Sequence, residues 1–133
     1  LKNQYHIYSF LHEEIGAAFA AADLTVCRAG ASTLGELSYF GLPAILVPYP
    51  YAWRYQHQNA EFLQDKGGAV ILEDRLLEQE LSGKIKSLIN NPATLQKMSD
   101  AMREISEPNA ADQIAEMILQ AGSSTAVKED SNG

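Results

Sequence analysis

The sequence predicts an α/β fold, a Rossmann-like parallel sheet with flanking helices. Three observations carry this. Short apolar runs alternate with segments of helical period, the pattern of right-handed βαβ units. A glycine-containing turn, Arg28-Ala29-Gly30-Ala31-Ser32, follows one apolar run and opens a helix. Glycine and proline stand where helices should stop and start, at Gly41, Pro43, Gly67, Gly68 and Pro92.

Taken in order, residues 5–10 read as a strand from their β-branched and aromatic content. Residues 13–22 are alanine-rich and suit a helix. Residues 24–27 form a short apolar run, fit for a buried parallel strand. Residues 33–40 read as a helix closed by Gly41, with Pro43 just beyond. Residues 44–47 are the next strand, and 48–55 a loop rich in proline and aromatics. Residues 56–66 read as a helix, stopped by Gly67 and Gly68, and 69–72 as a strand. Leu77, Leu81, Ile85, Leu88 and Ile89 recur at a helical period. Asn91 and Pro92 start a further helix running to about Ile105. Residues 109–120 read as a last helix, with Ile114, Met117 and Ile118 on one face.

The 133 residues suffice for one domain or a piece of one, and 46 % apolar content can supply one core. Residues 1–121 are assigned to one domain, partial. Residues 122–133, rich in Ser, Gly, Thr and charge, are assigned to a disordered tail. Only four strand candidates precede the C-terminal helices, whereas a doubly wound domain commonly has about five or six. The chain also opens almost directly in a strand-like run and without methionine. It therefore reads as a fragment truncated at its N-terminus.

With 17 acidic and 10 basic side chains the formal charge is −7, which argues against nucleic acid and against a polybasic contact with anionic lipid. Cys27 is the single cysteine, so no intrachain disulfide forms and a reducing compartment is expected. No apolar stretch approaches the roughly 20 residues of a membrane span. The N-terminus lacks the basic and apolar regions of a signal peptide.

The run from residue 22 to 59 places two helix N-termini at the C-terminal ends of two parallel strands. Unpaired N–H groups and a partial positive charge there suit an anion such as a diphosphate. Gly30 permits a special backbone angle or a close approach, and Ala29 and Ala31 leave room beside the main chain; a tight turn with nothing bound fits equally well. Glu36 completes a capping-box pattern with Thr33, or accepts two hydrogen bonds from a ribose diol. Gln56, Gln58 and Asn59 can donate and accept at once, as sugar hydroxyls require, or simply open a solvated helix. Arg54 meets a phosphate or water. Tyr49, Tyr51, Trp53 and Tyr55 stack on a ligand, face another domain or cover the core. His6, His12 and His57 are scattered, without metal-ligand spacing, so neither metal nor cofactor is expected. No nucleophile elbow is present. Cys27 ends an apolar strand and reads as a small buried hydrophobe.

The ordered pattern Cys-Arg-x-Gly-Ala-x-Thr-x-x-Glu, Gly-Leu-Pro-Ala, Val-Pro, Gln-x-x-Asn, followed by Lys66-Gly67-Gly68-Ala69, resembles the C-terminal, donor-binding half of the MurG family. These bacterial enzymes transfer N-acetylglucosamine to undecaprenyl-diphospho-muramoyl-pentapeptide. The resemblance runs from about residue 5 to about residue 121. It implies the C-terminal domain of a glycosyltransferase-B fold, in which two Rossmann-like domains face a cleft, and binding of UDP-N-acetylglucosamine. It further implies that Phe10 and Leu11 border the uracil, that Ala31, Ser32 and Thr33 meet the α-phosphate, and that Glu36 binds the ribose. Gln56 reads sugar hydroxyls, with Asn59 in support.

Three features depart from the family pattern: Ser32 in place of a larger apolar residue, Tyr55 in place of a glutamine, and the loop Pro50-Tyr51-Ala52-Trp53 in place of a more polar one. The family's acceptor site, membrane-docking face and general base belong to an N-terminal half absent from this chain, so no catalytic residue is assigned here and the chain alone is expected to be inactive. The implied complete protein is cytoplasmic, peripheral to the inner face of the plasma membrane. Other readings are a UDP-N-acetylglucosamine 2-epimerase-like domain, a donor-binding subunit whose membrane partner supplies the other half, and a structural domain with a vestigial site.

Overall fold

The computed structural model describes residues 4–51 and 54–129, with side-chain surroundings given through residue 122. Among them lie three parallel strands, β1 (Thr25–Cys27), β2 (Ala44–Leu46) and β3 (Ala69–Ile71), in the order β1-β2-β3. Helices α1 (Ile15–Ala21), α2 (Ala31–Phe40) and α3 (Tyr55–Asp65) precede or connect them. A 3-10 turn at Asp74–Leu76, then α4 (Leu77–Ile89), α5 (Pro92–Glu104) and α6 (Ala110–Glu129), follow. The register sets Thr25 beside Ala44 and Ala44 beside Ala69.

Strand β2 is buried along its length, because a central parallel strand is covered on both faces. Its alternation sorts the core into two layers. Ala44 and Leu46 face Leu37 of α2, Ala60 and Leu63 of α3 and Met102 of α5. Ile45 and Val47 face Leu72, Leu88 of α4 and Met98 of α5. Met98 and Met102, one turn apart, thus let α5 serve both layers. A Cβ on Gly68 would stand 2.7 Å from Met102 Sδ, so a larger residue here would have to displace the buried Met102 side chain.

Most predicted elements are present, and their differences have local causes. The strand expected at residues 5–10 is not formed. A strand exists only where a ladder partner exists; here β1 is the sheet edge, and Tyr5, Ile7, Tyr8 and Phe10 remain exposed. Helix α2 begins at Ala31, two residues early, because extended Gly30 (φ −68°, ψ 158°) is its N-cap. Thr33 therefore sits inside the first turn, and the capping box with Glu36 does not form. Gly41 closes this helix at φ 62°, and the Leu42 N–H returns to the Leu37 carbonyl at 2.9 Å, as expected of a glycine stop. Asn91 caps α5 as expected, its side chain accepting from the Thr94 N–H at 3.1 Å, with Pro92 in the first turn. Helix α6 extends to Glu129, through residues that composition assigned to the disordered tail; each residue added to an existing helix gains one hydrogen bond. Residues 130–133 of that tail lie outside the described residues.

Candidate functional site

The C-terminal ends of β1 and β2 converge on the N-termini of α2 and α3. At the first, Gly30 has no side chain to cap α2, and no other side chain among the described residues caps it. The first-turn N–H groups, at Ala31, Ser32 and Thr33, thus present the positive end of a ten-residue helix. Ala31 and Ser32 are exposed and Thr33 is half-buried. Gly30 adopts no angle forbidden to other residues, and a Cβ there would meet Thr33 Oγ1 at an ordinary 3.4 Å. The ligand-free fold therefore does not itself require glycine at this position.

Glu36 is exposed one turn along α2. Burial pushes the Cys27 thiol above its ordinary pKa; a hydrogen bond with Thr25 acts against this, and the Glu36 charge adds to the rise. Glu36 lies one turn into α2, close enough for its charge to act on the thiol at the end of β1. Cys27 is half-buried against the core, in keeping with its reading as a small hydrophobe.

Two amides of α3 are tied into the same edge. Asn59 Nδ2 donates to the Ala29 carbonyl at 3.0 Å. Gln56 Oε1 accepts from the Tyr49 backbone N–H at 2.8 Å. Since an N–H faces only an acceptor, these bonds settle both amide orientations. Among the described residues, the Asn59 oxygen and the Gln56 NH₂ group make no hydrogen bond. The α2 turn, Glu36, Gln56 and Asn59 are thus brought together. Phe10 and Leu11 are not joined to them by any hydrogen bond or ring contact among the described residues. They border hollows of about 620 and 320 Å³ beside α1, with the Phe10 ring 4.5 Å from that of His12.

Sequence reasoning missed a cluster behind the site. Arg28 Nη1 donates to the Val47 carbonyl at 3.1 Å, pairs with Asp74 Oδ1, and places the guanidinium 5.3 Å from the centre of the Tyr49 ring. The one available signal was an arginine immediately after an apolar strand; nothing in the spacing pointed to Asp74. Of the aromatic loop, Tyr49 meets Tyr51 edge-on at 5.6 Å, Tyr55 is exposed in the first turn of α3, and Trp53 lies outside the described residues. Another hollow, of about 300 Å³, lies at the opposite end of the strands, lined by Asp23, Pro43 and Arg103 among others. Among the described residues, no helix is long and apolar enough to cross a membrane.

Residues 1–114 match the family described as Glycosyltransferase family 28 C-terminal domain. The chain belongs to this family. It is 45 % identical over 107 residues to a UDP-N-acetylglucosamine--N-acetylmuramyl-(pentapeptide) pyrophosphoryl-undecaprenol N-acetylglucosamine transferase of Desulforudis audaxviator, covering 79 % of this chain and 29 % of the relative. The protein of the same name from Chlorobaculum tepidum is 41 % identical over 109 residues, 80 % of this chain and 30 % of its own length. The crystal structure of Acinetobacter baumannii MurG superposes with a TM-score of 0.74 at 32 % identity, over 83 % of this chain and 32 % of that one. The likeness to the C-terminal half of MurG thus holds in sequence and in fold, and the parallel sheet with its flanking helices is that of the glycosyltransferase-B C-terminal domain. The chain spans about three tenths of the length of the relatives it matches.

Proposed function

We propose that this chain is the donor-binding part of an enzyme that moves N-acetylglucosamine from UDP-N-acetylglucosamine to a lipid-linked muramoyl-pentapeptide in peptidoglycan synthesis. The observation that carries this reading is the convergence, in a family 28 domain, of an uncapped helix N-terminus, an exposed carboxylate one turn along it, and two amides locked with one free face each.

In this reading the N–H groups of Ala31, Ser32 and Thr33 receive the diphosphate, and the dipole of α2 stabilises the charge that develops as UDP leaves. Glu36 accepts hydrogen bonds from the ribose diol, Phe10 and Leu11 border the uracil, and Gln56 and Asn59 read the sugar. An acceptor hydroxyl loses its proton to a base outside this chain and forms a bond to the anomeric carbon from the opposite face. The bond from that carbon to the diphosphate breaks, and UDP keeps the electron pair, so the configuration inverts. Acceptor site, base and membrane contact belong to the rest of the protein, which works at the inner face of the plasma membrane. The chain alone binds donor without transferring sugar.

Calorimetric titration of UDP, UDP-N-acetylglucosamine, UDP-glucose and ADP into this chain tests the reading. Uridine selectivity with a preference for the N-acetyl sugar is expected. Equal binding of ADP and UDP would remove it.

A further inference from the structure

The cluster behind the site joins three strand ends. Arg28 follows β1, Tyr49 lies in the loop after β2, and Asp74 opens the turn after β3. Asp74 Oδ1 is shut off from solvent and its partner among the described residues is the Arg28 guanidinium, which is its compensating charge. The same guanidinium holds the Val47 carbonyl and lies against the Tyr49 ring. Tyr49 in turn gives its backbone N–H to Gln56 Oε1. A chain of contacts thus runs along the C-terminal edge of the sheet, from the Asp74 carboxylate after β3 to the Gln56 amide of α3.

We propose that Asp74 and Arg28 are positioning residues that hold the Tyr49 N–H against Gln56, so that Gln56 presents only its Nε2 hydrogens, as donors, to an oxygen of the bound donor sugar. The proposal rests on the donor-binding reading above. Without Asp74, the long Arg28 side chain keeps the Val47 carbonyl at 3.1 Å, a long contact of 3.5 Å to the Pro48 carbonyl and the Tyr49 ring, but no charged partner. The loop carrying Tyr49 then loosens, and the Gln56 amide becomes free to turn either edge outward. With Asn59 presenting its oxygen, the pair forms a fixed donor and acceptor, which discriminates among hydroxyl patterns better than two rotating amides.

Two measurements test this on the whole chain. In the ligand-free protein, Asp74→Ala should speed hydrogen exchange of the Tyr49 amide about ten-fold while the amides of β2 keep their rates. Asp74→Glu should restore most of the protection, and Asp74→Asn, which keeps the shape without the charge, serves where the alanine variant does not fold. An unmoved Tyr49 rate overturns the proposal whatever the nucleotides do. In titrations, the preference for UDP-N-acetylglucosamine over UDP should fall about ten-fold in Asp74→Ala, with UDP affinity held within about three-fold. Equal weakening of both ligands, or an intact preference, overturns the positioning role. A wild-type chain without sugar preference removes the sugar reading itself and this proposal with it, and that failure shows before any substitution is made.

Discussion

Asn59 on α3 donates a side-chain N–H to the carbonyl of Ala29, 30 residues earlier in the chain, at 3.0 Å. Ala29 is fully buried and belongs to the turn that opens α2, so this bond ties α3 to that turn. It also removes a donor that ligand would otherwise compete for, and leaves the Asn59 oxygen outward. Position and polarity of the site come from the same contact.

Asn59→Asp should therefore be worse than Asn59→Ala. The alanine loses one hydrogen bond, about 1 kcal/mol, whereas the aspartate turns a carboxylate oxygen toward a buried carbonyl and costs about 1–3 kcal/mol. Urea denaturation of the three proteins measures the difference. An aspartate variant as stable as the wild type would mean that the bond is not made.

Glu36→Gln separates the two roles that the sequence allowed. With Gly30 as N-cap and no side-chain cap, Glu36 contributes no capping bond, so stability should change by no more than about 0.5 kcal/mol. UDP affinity should fall by about 1–3 kcal/mol if a charge-assisted bond to the ribose is lost. Thermal melting and calorimetry on one preparation read both quantities. Lost stability with intact affinity would restore the capping role.

The two glycines that bracket α2 should respond in opposite ways. Gly41 lies at φ 62°, and a Cβ there would stand 2.6 Å from the Arg103 guanidinium, so Gly41→Ala should cost at least about 1–2 kcal/mol. Gly30 has an ordinary angle, and a Cβ there would make only an ordinary contact with Thr33 Oγ1 at 3.4 Å, so Gly30→Ala should leave stability within about 0.5 kcal/mol. If a diphosphate approaches this backbone, the same Gly30 variant should nonetheless bind UDP more weakly. Melting curves and titrations of the pair decide whether Gly30 serves the fold or the ligand.

The contrast between those glycines shows what was legible in the sequence. Gly41 was read correctly because a helix stop leaves a local signature: a glycine after the last periodic residue, then a proline. Helices α4 and α5 were legible for the same reason, through the spacing of Leu81, Ile85 and Leu88 and through Asn91 before Pro92. The start of α2 was not, because Thr33 and Glu36 satisfy a local pattern that an extended Gly30 overrides. The strand expected at residues 5–10 failed on a non-local condition, a partner strand. The Arg28–Asp74 pair was invisible because two strands and two helices separate its members in sequence, and only the register of the sheet brings them together.

Cys27 offers a pH-dependent handle on the site. Burial, opposed by the Thr25 hydrogen bond and reinforced by the Glu36 charge, raises its thiol pKa in the folded chain above the ordinary value of 9.0. The fold therefore favours the neutral thiol. Between the ordinary and the folded pKa, the folded chain keeps a proton that the unfolded chain has released. The unfolded state then binds fewer protons, and stability must fall as pH rises through that window; below it the thiol contributes no slope. Cys27→Ala should flatten this alkaline loss of stability, and Glu36→Gln should shrink it by removing the repelling charge. Urea melts at several alkaline pH values measure both effects. In the same proteins, alkylation of Cys27 at neutral pH should be slow and should quicken in Glu36→Gln, since the thiolate is the reactive form. Identical alkylation rates with and without the Glu36 charge would place that carboxylate away from the end of β1, and with it the ribose contact assigned to Glu36.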